Sequence, residues 1–226
     1  MGKKYGFGIV GCGAISKWHV AAINEIENAE LIGVFNTPKC FAEDFAKEHN
    51  CKVFDTYEEM LNCEDIDIVN ICTPSGTHAP LAIEAANHKK NVIVEKPMAI
   101  TKEQIEEVIS SVEKNNVKLA VISQLRFDEN IQKVKKDIDN GELGDILIGD
   151  IYMKYYRSPE YFSSSGWRGT WAMDGGGALM NQGIHGIDIL QYLVGPVKSV
   201  SGICKTLARD IEVEDAASLV VEYVSG

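Results

Sequence analysis

A glycine turn near the amino terminus constrains this chain more than any other feature. The segment YGFGIV is typical of a buried strand, and the turn GCGAIS follows it and opens a segment with helical spacing. Gly11 permits a tight turn, Gly13 lets the backbone approach a pyrophosphate, and the helix N-terminus offers N–H groups to phosphates. Ser16, in place of a third glycine, is small enough for close packing of the helix on the strand. The turn therefore predicts a dinucleotide site that includes Gly11, Gly13, Ala14 and Ile15.

The first half of the chain alternates between apolar strands and helical segments. The predicted strands are YGFGIV, ELIGVF, CKVF, DIVNIC, NVIVE and KLAVIS. Continuous apolar strands separated by helices indicate a parallel sheet that is covered on both faces. Residues 1–122 are therefore predicted to form an α/β Rossmann domain with a doubly wound parallel sheet, which binds the dinucleotide.

The pattern changes after residue 122. A helix is expected over residues 128–140, and the segment ILIGDIYMKYY alternates like a long, half-exposed strand. Residues 175–177, three glycines, are expected to open a helix that runs to Tyr192, and VKSVSGICKTL and AASLVVEYV are typical of two more long strands. Residues 123–226 are thus predicted to be an α+β domain with a large, mostly antiparallel, open-faced sheet for substrate binding and oligomerisation. A last strand with no returning partner predicts that the native chain is longer.

Composition excludes several classes of protein. The 226 residues are 45% hydrophobic, enough for one sizeable core or two modest ones, and carry a formal net charge of −11. This acidity argues against a nucleic-acid partner, and the lack of a leader or of an apolar run of about 20 residues argues against a membrane partner. The six cysteines form no C-x-x-C pair. They predict reduced, buried thiols in the cytoplasm, and no metal site; the alternative is a zinc site or a disulfide framework.

The end of the second strand bears on the choice of cofactor. Asn36 and Thr37 stand where an acidic residue usually binds the ribose hydroxyls of NAD. Asn36 can bind a ribose hydroxyl without repelling a 2′-phosphate. Lys39 can attract such a phosphate, or it can be a solvated lysine at the start of a helix. NAD and NADP both remain open as cofactors.

The fourth strand ends at Cys72, Thr73 and Pro74. In a doubly wound sheet that edge faces the ligand crevice, so these residues and His78 are predicted to lie near the cofactor. The alternative for His78 is a surface residue in the first turn of a helix.

The fifth strand ends in Glu95, Lys96 and Pro97, at the same edge of the sheet. The proline keeps Lys96 extended. Desolvation and a nearby oxidised nicotinamide would favour a neutral lysine, which can assist proton transfer at a substrate hydroxyl. Lys96, with Glu95 beside it, is therefore a candidate for both catalysis and cofactor binding. The alternative is a lysine that reaches the surface or pairs with Glu95.

A polar stripe lies on the helix predicted after the three glycines. Asn181, His185, Asp188 and Tyr192 follow one another at spacings of four, three and four residues, so they share a face. His185 is the natural acid or base, Asp188 can fix its tautomer and Asn181 can hold a substrate hydroxyl. Leu179, Ile187, Leu190 and Val194 are available for the opposite side of the helix.

Arg168, just before this helix, can grip a carboxylate or phosphate with two hydrogen bonds. Trp167 and Trp171 flank it and can act as packing anchors, which is the preferred interpretation for Trp171. Gln124 and Arg126 are weaker candidates for the substrate crevice.

Four segments, GIVGCGAIS, CTPSGTH, EKPMA and WRGTWAMDGGGALMNQGIHGID, occur here in this order. In this combination the chain resembles the Gfo/Idh/MocA oxidoreductases over nearly its whole length, and within them UDP-N-acetylglucosaminuronate 3-dehydrogenase-like members. The resemblance implies a Rossmann domain followed by a substrate domain, and dimers or tetramers formed through the sheet of the latter. It also implies that Lys96 and His185 are catalytic and that the peptide before Pro97 is cis. Asn181 departs from the Asp of inositol dehydrogenase-like members, which favours the nucleotide-sugar branch.

These features together predict an NAD(P)-dependent dehydrogenase. It would transfer a hydride between nicotinamide and a secondary hydroxyl or keto carbon of a cyclic sugar, sugar acid or nucleotide sugar. Two alternatives remain, an inositol or polyol dehydrogenase and a regulatory NAD(P)-binding protein that has lost the chemistry.

Overall fold

The computed structural model describes residues 2–226. The chain forms two compact units, a first that ends at Ile122 and a second that spans Ser123–Gly226.

Six parallel strands form the sheet of the first unit. They are β1 (Tyr5–Val10), β2 (Ala29–Phe35), β3 (Lys52–Val53), β4 (Ile68–Ile71), β5 (Asn91–Val94) and β6 (Leu119–Val121). Their order across the sheet is β3-β2-β1-β4-β5-β6, so the winding reverses between β1 and β4. Sheets of this kind bind ligands at such a reversal, beyond the carboxyl ends of the strands. The predicted doubly wound parallel sheet is confirmed.

Five helices accompany this sheet. They are α1 (Ser16–Glu25), α2 (Lys39–His49), α3 (Tyr57–Leu61), α4 (His78–Asn87) and α5 (Lys102–Asn115). Thr101 is the N-cap of α5, since Gln104 N donates to Thr101 Oγ1 at 3.2 Å. Gln104 Oε1, however, accepts from Ile100 N at 3.2 Å, one residue earlier than a capping box requires.

The core of the first unit consists of two apolar clusters. Neighbouring residues of β1 enter different clusters: Val10 packs with Met60 and Ile71, and Ile9 packs with Val20. Because successive side chains of a strand point to opposite faces, the sheet is covered on both sides. This is why its strands are apolar throughout instead of alternating.

The second unit contains three α-helices and one antiparallel pair of strands. They are α6 (Glu129–Asp139), α7 (Pro159–Ser163), α8 (Ile184–Val194), β7 (Val197–Lys205) and β8 (Ala216–Tyr223). The predicted antiparallel sheet is confirmed for β7 and β8. Every residue of β7 is exposed.

The long strand predicted within residues 146–156 does not join that sheet. Within residues 2–226 this segment forms no ladder with another strand. It lies along α8 instead, where a Cβ added to Gly186 would come 2.5 Å from Met153 Sδ. Alternating side chains mark an extended segment, but a strand also needs a partner for its N–H and C=O groups.

The helix expected at the three glycines begins slightly later. It starts with a π-helical turn, Leu179–Gly183, and continues as α8. Gly177 passes so close to Glu214 that an added Cβ would lie 1.7 Å from the Glu214 carbonyl oxygen. The Glu214 carboxylate accepts from Gly177 N at 3.0 Å and Leu179 N at 2.9 Å, so it caps the start of this helix. Ile187, expected on the packed side, is 40% exposed, and Ile189 is buried in its place.

No helix among residues 2–226 combines the length and apolarity that a membrane crossing requires. The six cysteines are free thiols in the described chain. Cys72 is buried as expected, but Cys40 and Cys204 are exposed, so the predicted burial holds for only part of the set.

Candidate active site

The glycine turn has the geometry that the sequence predicts. Gly11 has a φ of +92°, and an added Cβ would lie 2.7 Å from the Cys72 carbonyl oxygen. Beside Gly13, within the described chain, no heavy atom lies within 4 Å of an added Cβ. Ser16 is completely buried, and its Oγ donates to Gly13 O at 2.5 Å. The accessible backbone of Gly13 before α1 therefore fits a pyrophosphate.

Asn36 supports the glycine turn from the end of β2. Its Oδ1 accepts from Cys12 N at 2.9 Å, and its Nδ2 donates to Pro38 O at 2.9 Å. The peptide between Thr37 and Pro38 is cis. The amide of Asn36 thus has a structural task in the turn, and its contact with a ribose stays a prediction.

Lys39, at the start of α2, is half exposed and forms an ion pair with Asp55. The hydrogen bond from Lys39 lowers the pKa of Asp55. Whether Lys39 binds a 2′-phosphate or is only a solvated lysine at the start of α2, its ammonium group already pairs with Asp55. Its contact with a 2′-phosphate stays a prediction.

His78 is a buried link between two loops at the carboxyl edge of the sheet. It is 1% exposed, so the alternative of a surface histidine is wrong. Its Nδ1 lies 2.6 Å from Pro97 O and its Nε2 lies 2.8 Å from Thr73 O. Burial lowers the pKa of His78. His78 therefore fixes the loop after β4 against the loop after β5, which carries Lys96.

A second buried histidine, which the sequence analysis did not single out, supports Glu95. Asn70 Nδ2 donates to His19 Nδ1 at 2.9 Å, so His19 Nε2 carries the proton and donates to Glu95 Oε1 at 3.0 Å. His19, Asn70 and Glu95 are each at most 9% exposed. Lys96 N donates to Glu95 Oε2 at 3.2 Å, and the peptide between Lys96 and Pro97 is cis, as the resemblance implied.

The pattern that could have revealed this network is faint. Asn70 is a polar residue inside the apolar run IVNIC, and His19 occupies an inward position of α1. Buried polar side chains require hydrogen-bond partners, so Asn70 and His19 must each have one. The sequence does not identify those partners.

The second unit carries the polar stripe. Asn181 belongs to the π-helical turn, and His185 and Asp188 belong to α8; all three are half-buried. Both carboxylate oxygens of Asp188 accept from Arg126, at 2.8 Å from Nε and 2.5 Å from Nη2. Asp188 thereby raises the pKa of Arg126, whose guanidinium lies 5.2 Å from the centre of the Tyr192 ring. The stripe did not predict this partner for Asp188.

Of the other predicted residues in the second unit, Arg168 packs against an aromatic ring, whereas Trp171 and Gln124 are exposed. The Arg168 guanidinium lies 4.2 Å from the centre of the Tyr161 ring, and Asn181 Nδ2 donates to Tyr161 Oη at 3.4 Å. Trp171 is 57% exposed, so its interpretation as a packing anchor is wrong; its backbone is held instead, since its N donates to Glu212 Oε2 at 2.9 Å. Gln124 lies on an exposed position.

Comparisons with known proteins agree with both units. Residues 5–123 match the family model of oxidoreductases with an NAD-binding Rossmann fold, and residues 131–226 match the Gfo/Idh/MocA C-terminal domain. The structure is similar to that of the WlbA dehydrogenase from Chromobacterium violaceum in complex with NADH and UDP-GlcNAcA. The TM-score is 0.92 at 36% identity, over 100% of this chain and 66% of that one.

Two curated enzymes illustrate the range of relatives. Inositol 2-dehydrogenase from Rhizobium meliloti is 29% identical over 97% of this chain and 66% of its own length. Glucose-6-phosphate 3-dehydrogenase from Bacillus subtilis is 32% identical over 82% of this chain and 53% of its own length. The chain thus spans between half and two thirds of the length of these relatives. With family models matched to both of its units, the chain belongs to the Gfo/Idh/MocA oxidoreductases, a family with an NAD-binding Rossmann fold.

Proposed function

We propose that this protein is an NAD(P)-dependent dehydrogenase that acts on a secondary hydroxyl of a cyclic sugar, a sugar acid or a nucleotide sugar. Residues 1–122 would bind the dinucleotide and residues 123–226 would bind the substrate. The reaction oxidises the C–H(OH) carbon to a keto carbon, and its reverse reduces it.

One observation carries the proposal. The open glycine turn follows β1 and the Glu95-Lys96-Pro97 segment follows β5, with β4 between these strands, so both lie at the carboxyl edge of one parallel sheet. A dinucleotide that places its pyrophosphate on the turn can extend along that edge. The residues predicted to contact it are Gly11, Gly13, Ala14, Ile15, Asn36, Thr37, Lys39, Cys72, Thr73, Pro74, His78, Glu95 and Lys96.

In the proposed reaction the cofactor accepts the hydride and the protein removes the hydroxyl proton. The bound nicotinamide supplies the hydride acceptor. Lys96 and His185 are the two candidates for the base that takes the hydroxyl proton, and each suits general acid–base catalysis near neutral pH when its environment tunes its pKa. Asn181, Asp188, Arg168 and Gln124 are the predicted substrate residues.

The nucleotide-sugar class has specific support over the polyol class. The WlbA structure, with UDP-GlcNAcA bound, is 36% identical to this chain, and inositol 2-dehydrogenase from Rhizobium meliloti is 29% identical. Asn181 also differs from the Asp that the resemblance places in inositol dehydrogenases. UDP-GlcNAcA is therefore the first substrate to test, and myo-inositol is the second.

The decisive experiment combines calorimetry with absorbance. NAD and NADP are titrated into the protein with and without UDP-GlcNAcA, and reduced cofactor is followed at its absorbance band with that sugar and with myo-inositol. Reduction of cofactor with UDP-GlcNAcA is expected. Reduction with myo-inositol alone would favour the polyol enzyme, and binding without any reduction would favour the regulatory protein. No binding of either dinucleotide would contradict the proposal.

His185→Ala should lower kcat by about 100- to 10,000-fold, because a positioned acid–base group contributes a factor of that order. The NAD dissociation constant should change less than about twofold. The matched control is Gln191→Ala, an exposed position on the same helix. Equal losses in turnover and in NAD affinity would show that His185 is structural.

The location and assembly of the protein are part of the same proposal. Free thiols are typical of a reducing compartment, which supports the cytoplasm. The exposed Ile203 and Val220, which share one face of the β7–β8 sheet, support a homodimer or homotetramer formed through that sheet. Light scattering with Ile203→Lys, against Lys205→Glu as control, would test this assembly.

A further inference from the structure

Two arginines converge on one tyrosine ring in the second unit. The Arg157 and Arg168 guanidinium carbons lie 4.9 Å and 4.2 Å from the centre of the Tyr161 ring. Because both distances share that centre, the two carbons are at most about 9.1 Å apart. Two positive charges this close repel each other, so an anion bound between them would relieve that repulsion.

Backbone contacts hold both arginines in place. Arg168 Nη1 donates to Tyr161 O at 3.2 Å. The backbone of Arg157 is fixed because its carbonyl oxygen accepts from Arg209 Nε at 2.9 Å and Nη2 at 2.7 Å. Hydrogen bonds within the second unit therefore hold the Arg168 guanidinium and the Arg157 backbone.

Three side-chain donors in this segment of the chain lack a partner. Among residues 2–226, Arg157 Nε, Arg168 Nε and Ser165 Oγ are buried and form no hydrogen bond. Buried donors are nearly always paired in proteins, because an unpaired donor loses the hydrogen bonds that water would give it. Three of them within twelve residues of the chain, 157–168, indicate a missing acceptor.

The same cluster adjoins a residue predicted to contact the substrate. Asn181 Nδ2 donates to Tyr161 Oη at 3.4 Å, and Asn181 lies four residues before His185. Tyr161 thus connects the two arginines to the polar stripe within one unit.

We propose that Arg157, Ser165 and Arg168 form an anion site that binds a carboxylate or phosphate group of the substrate. Guanidinium groups suit this task, since they stay charged and present paired N–H groups to oxygen anions. The inference rests on the proposed function and narrows it: the enzyme would select anionic sugars over neutral sugars and polyols. Arg157 is the new member of the site.

The test measures binding by calorimetry in the presence of NADH, with Arg157→Gln and Arg168→Gln as variants. Three probes separate the two sources of anion. UDP-GlcNAcA carries both groups, UDP-GlcNAc carries only the diphosphate, and N-acetylglucosaminuronic acid carries only the carboxylate. Each variant should weaken UDP-GlcNAcA about 10- to 100-fold, as expected for hydrogen bonds to a charged group. If the site binds the diphosphate, each variant should also weaken binding of UDP-GlcNAc but not of N-acetylglucosaminuronic acid. If the site binds the carboxylate, the reverse is expected.

Two controls make the result specific to these guanidinium groups. Lys154→Gln removes the same charge from an exposed position in the same segment, and it should leave binding of UDP-GlcNAcA within about twofold. Arg157→Lys keeps the charge but loses the fork of N–H groups, so it should fall between the wild type and Arg157→Gln. NADH affinity should stay unchanged in every variant.

The wild-type protein offers a readout that needs no substitution at the site. Arg168 lies 5.3 Å from the centre of the Trp167 ring, so an anion on Arg168 should change tryptophan fluorescence, and Trp167→Phe should abolish that change. Unchanged affinity in both glutamine variants, or an equal loss in Lys154→Gln, would overturn the anion site. Reduction of NAD with neutral sugars only would overturn it too and leave the dehydrogenase standing. Tight UDP-GlcNAcA binding that needs Arg157, without any NAD reduction, would support the site and overturn the dehydrogenase.

Discussion

His78 shows how a single buried residue can organise a sheet edge. Its two ring nitrogens face the carbonyl oxygens of Thr73 and Pro97, so it ties together the loops after β4 and β5. His78→Leu should lower the free energy of unfolding at pH 7.5 by about 1–3 kcal/mol, because the neutral imidazole donates one hydrogen bond and its loss leaves a carbonyl group without that donor. Urea unfolding measures this change. The half-buried His88, replaced by Leu, is the control and should cost less.

The pH dependence of stability gives an independent test of the same residue. The pKa of His78 is lowered by burial, so the unfolded chain binds a proton that the folded chain rejects. Its contribution to stability is therefore present above about pH 6.5, the ordinary histidine pKa, and is lost as pH falls toward the folded pKa. The stability difference between wild type and His78→Leu should shrink below pH 6.5. A difference that grows on acidification would show that the folded pKa is raised instead.

Asn36 is the residue on which the choice of cofactor depends. Its Oδ1 accepts from Cys12 N, a contact that an aspartate would keep. Asn36→Asp loses the hydrogen bond from Nδ2 to Pro38 O but keeps the one that holds Cys12 N in the glycine turn, and it adds a negative charge that repels a 2′-phosphate. We expect the ratio of NADP affinity to NAD affinity, measured by calorimetry, to fall at least about tenfold. Asp55→Asn, which removes the acidic neighbour of Lys39, is the comparison, and it should change the ratio in the opposite direction.

At the scale of elements, one row of hydrogen-bonded side chains connects a strand, a helix and a loop of the first unit. It runs from Asn70 in β4 through His19 in α1 to Glu95 after β5. His19→Ala leaves Asn70 Nδ2 and Glu95 Oε1 buried and without their histidine partner, so it should lower the free energy of unfolding by about 2–5 kcal/mol. Glu25→Ala, at an exposed position of the same helix, should cost less than about 1 kcal/mol. Urea unfolding of both variants decides whether the row stabilises the fold.

The elements also show where sequence reasoning succeeds and where it stops. Strands such as β4 could be predicted because burial on both faces leaves a continuous apolar run. The row through His19 could not, since its partners lie 51 and 76 residues away along the chain. The segment 146–156 alternates like a strand, yet alternation cannot say whether a partner strand is present. Local sequence patterns therefore predict secondary-structure elements and turns, whereas polar contacts between residues far apart in the chain can be identified only in the structure.

At the scale of the molecule, the two units divide the proposed work. Both apolar clusters, including the buried residues of β1, β4 and β5, lie entirely within the first unit. A fragment that ends at Ile122 should therefore fold alone and bind NAD within about tenfold of the affinity of the whole chain, since it keeps the glycine turn and Lys96. Circular dichroism and calorimetry measure these properties.

The same fragment separates cofactor binding from turnover. It lacks Arg168, Asn181 and His185, so it should neither bind UDP-GlcNAcA nor reduce NAD with it. Adding the glycine-turn substitution Gly11→Val is a sharp control, because a side chain there would meet the Cys72 carbonyl and should abolish NAD binding. A fragment that is folded but does not bind NAD would mean that residues after 122 contribute to the dinucleotide site. Turnover by the fragment alone would contradict the assignment of His185 to catalysis.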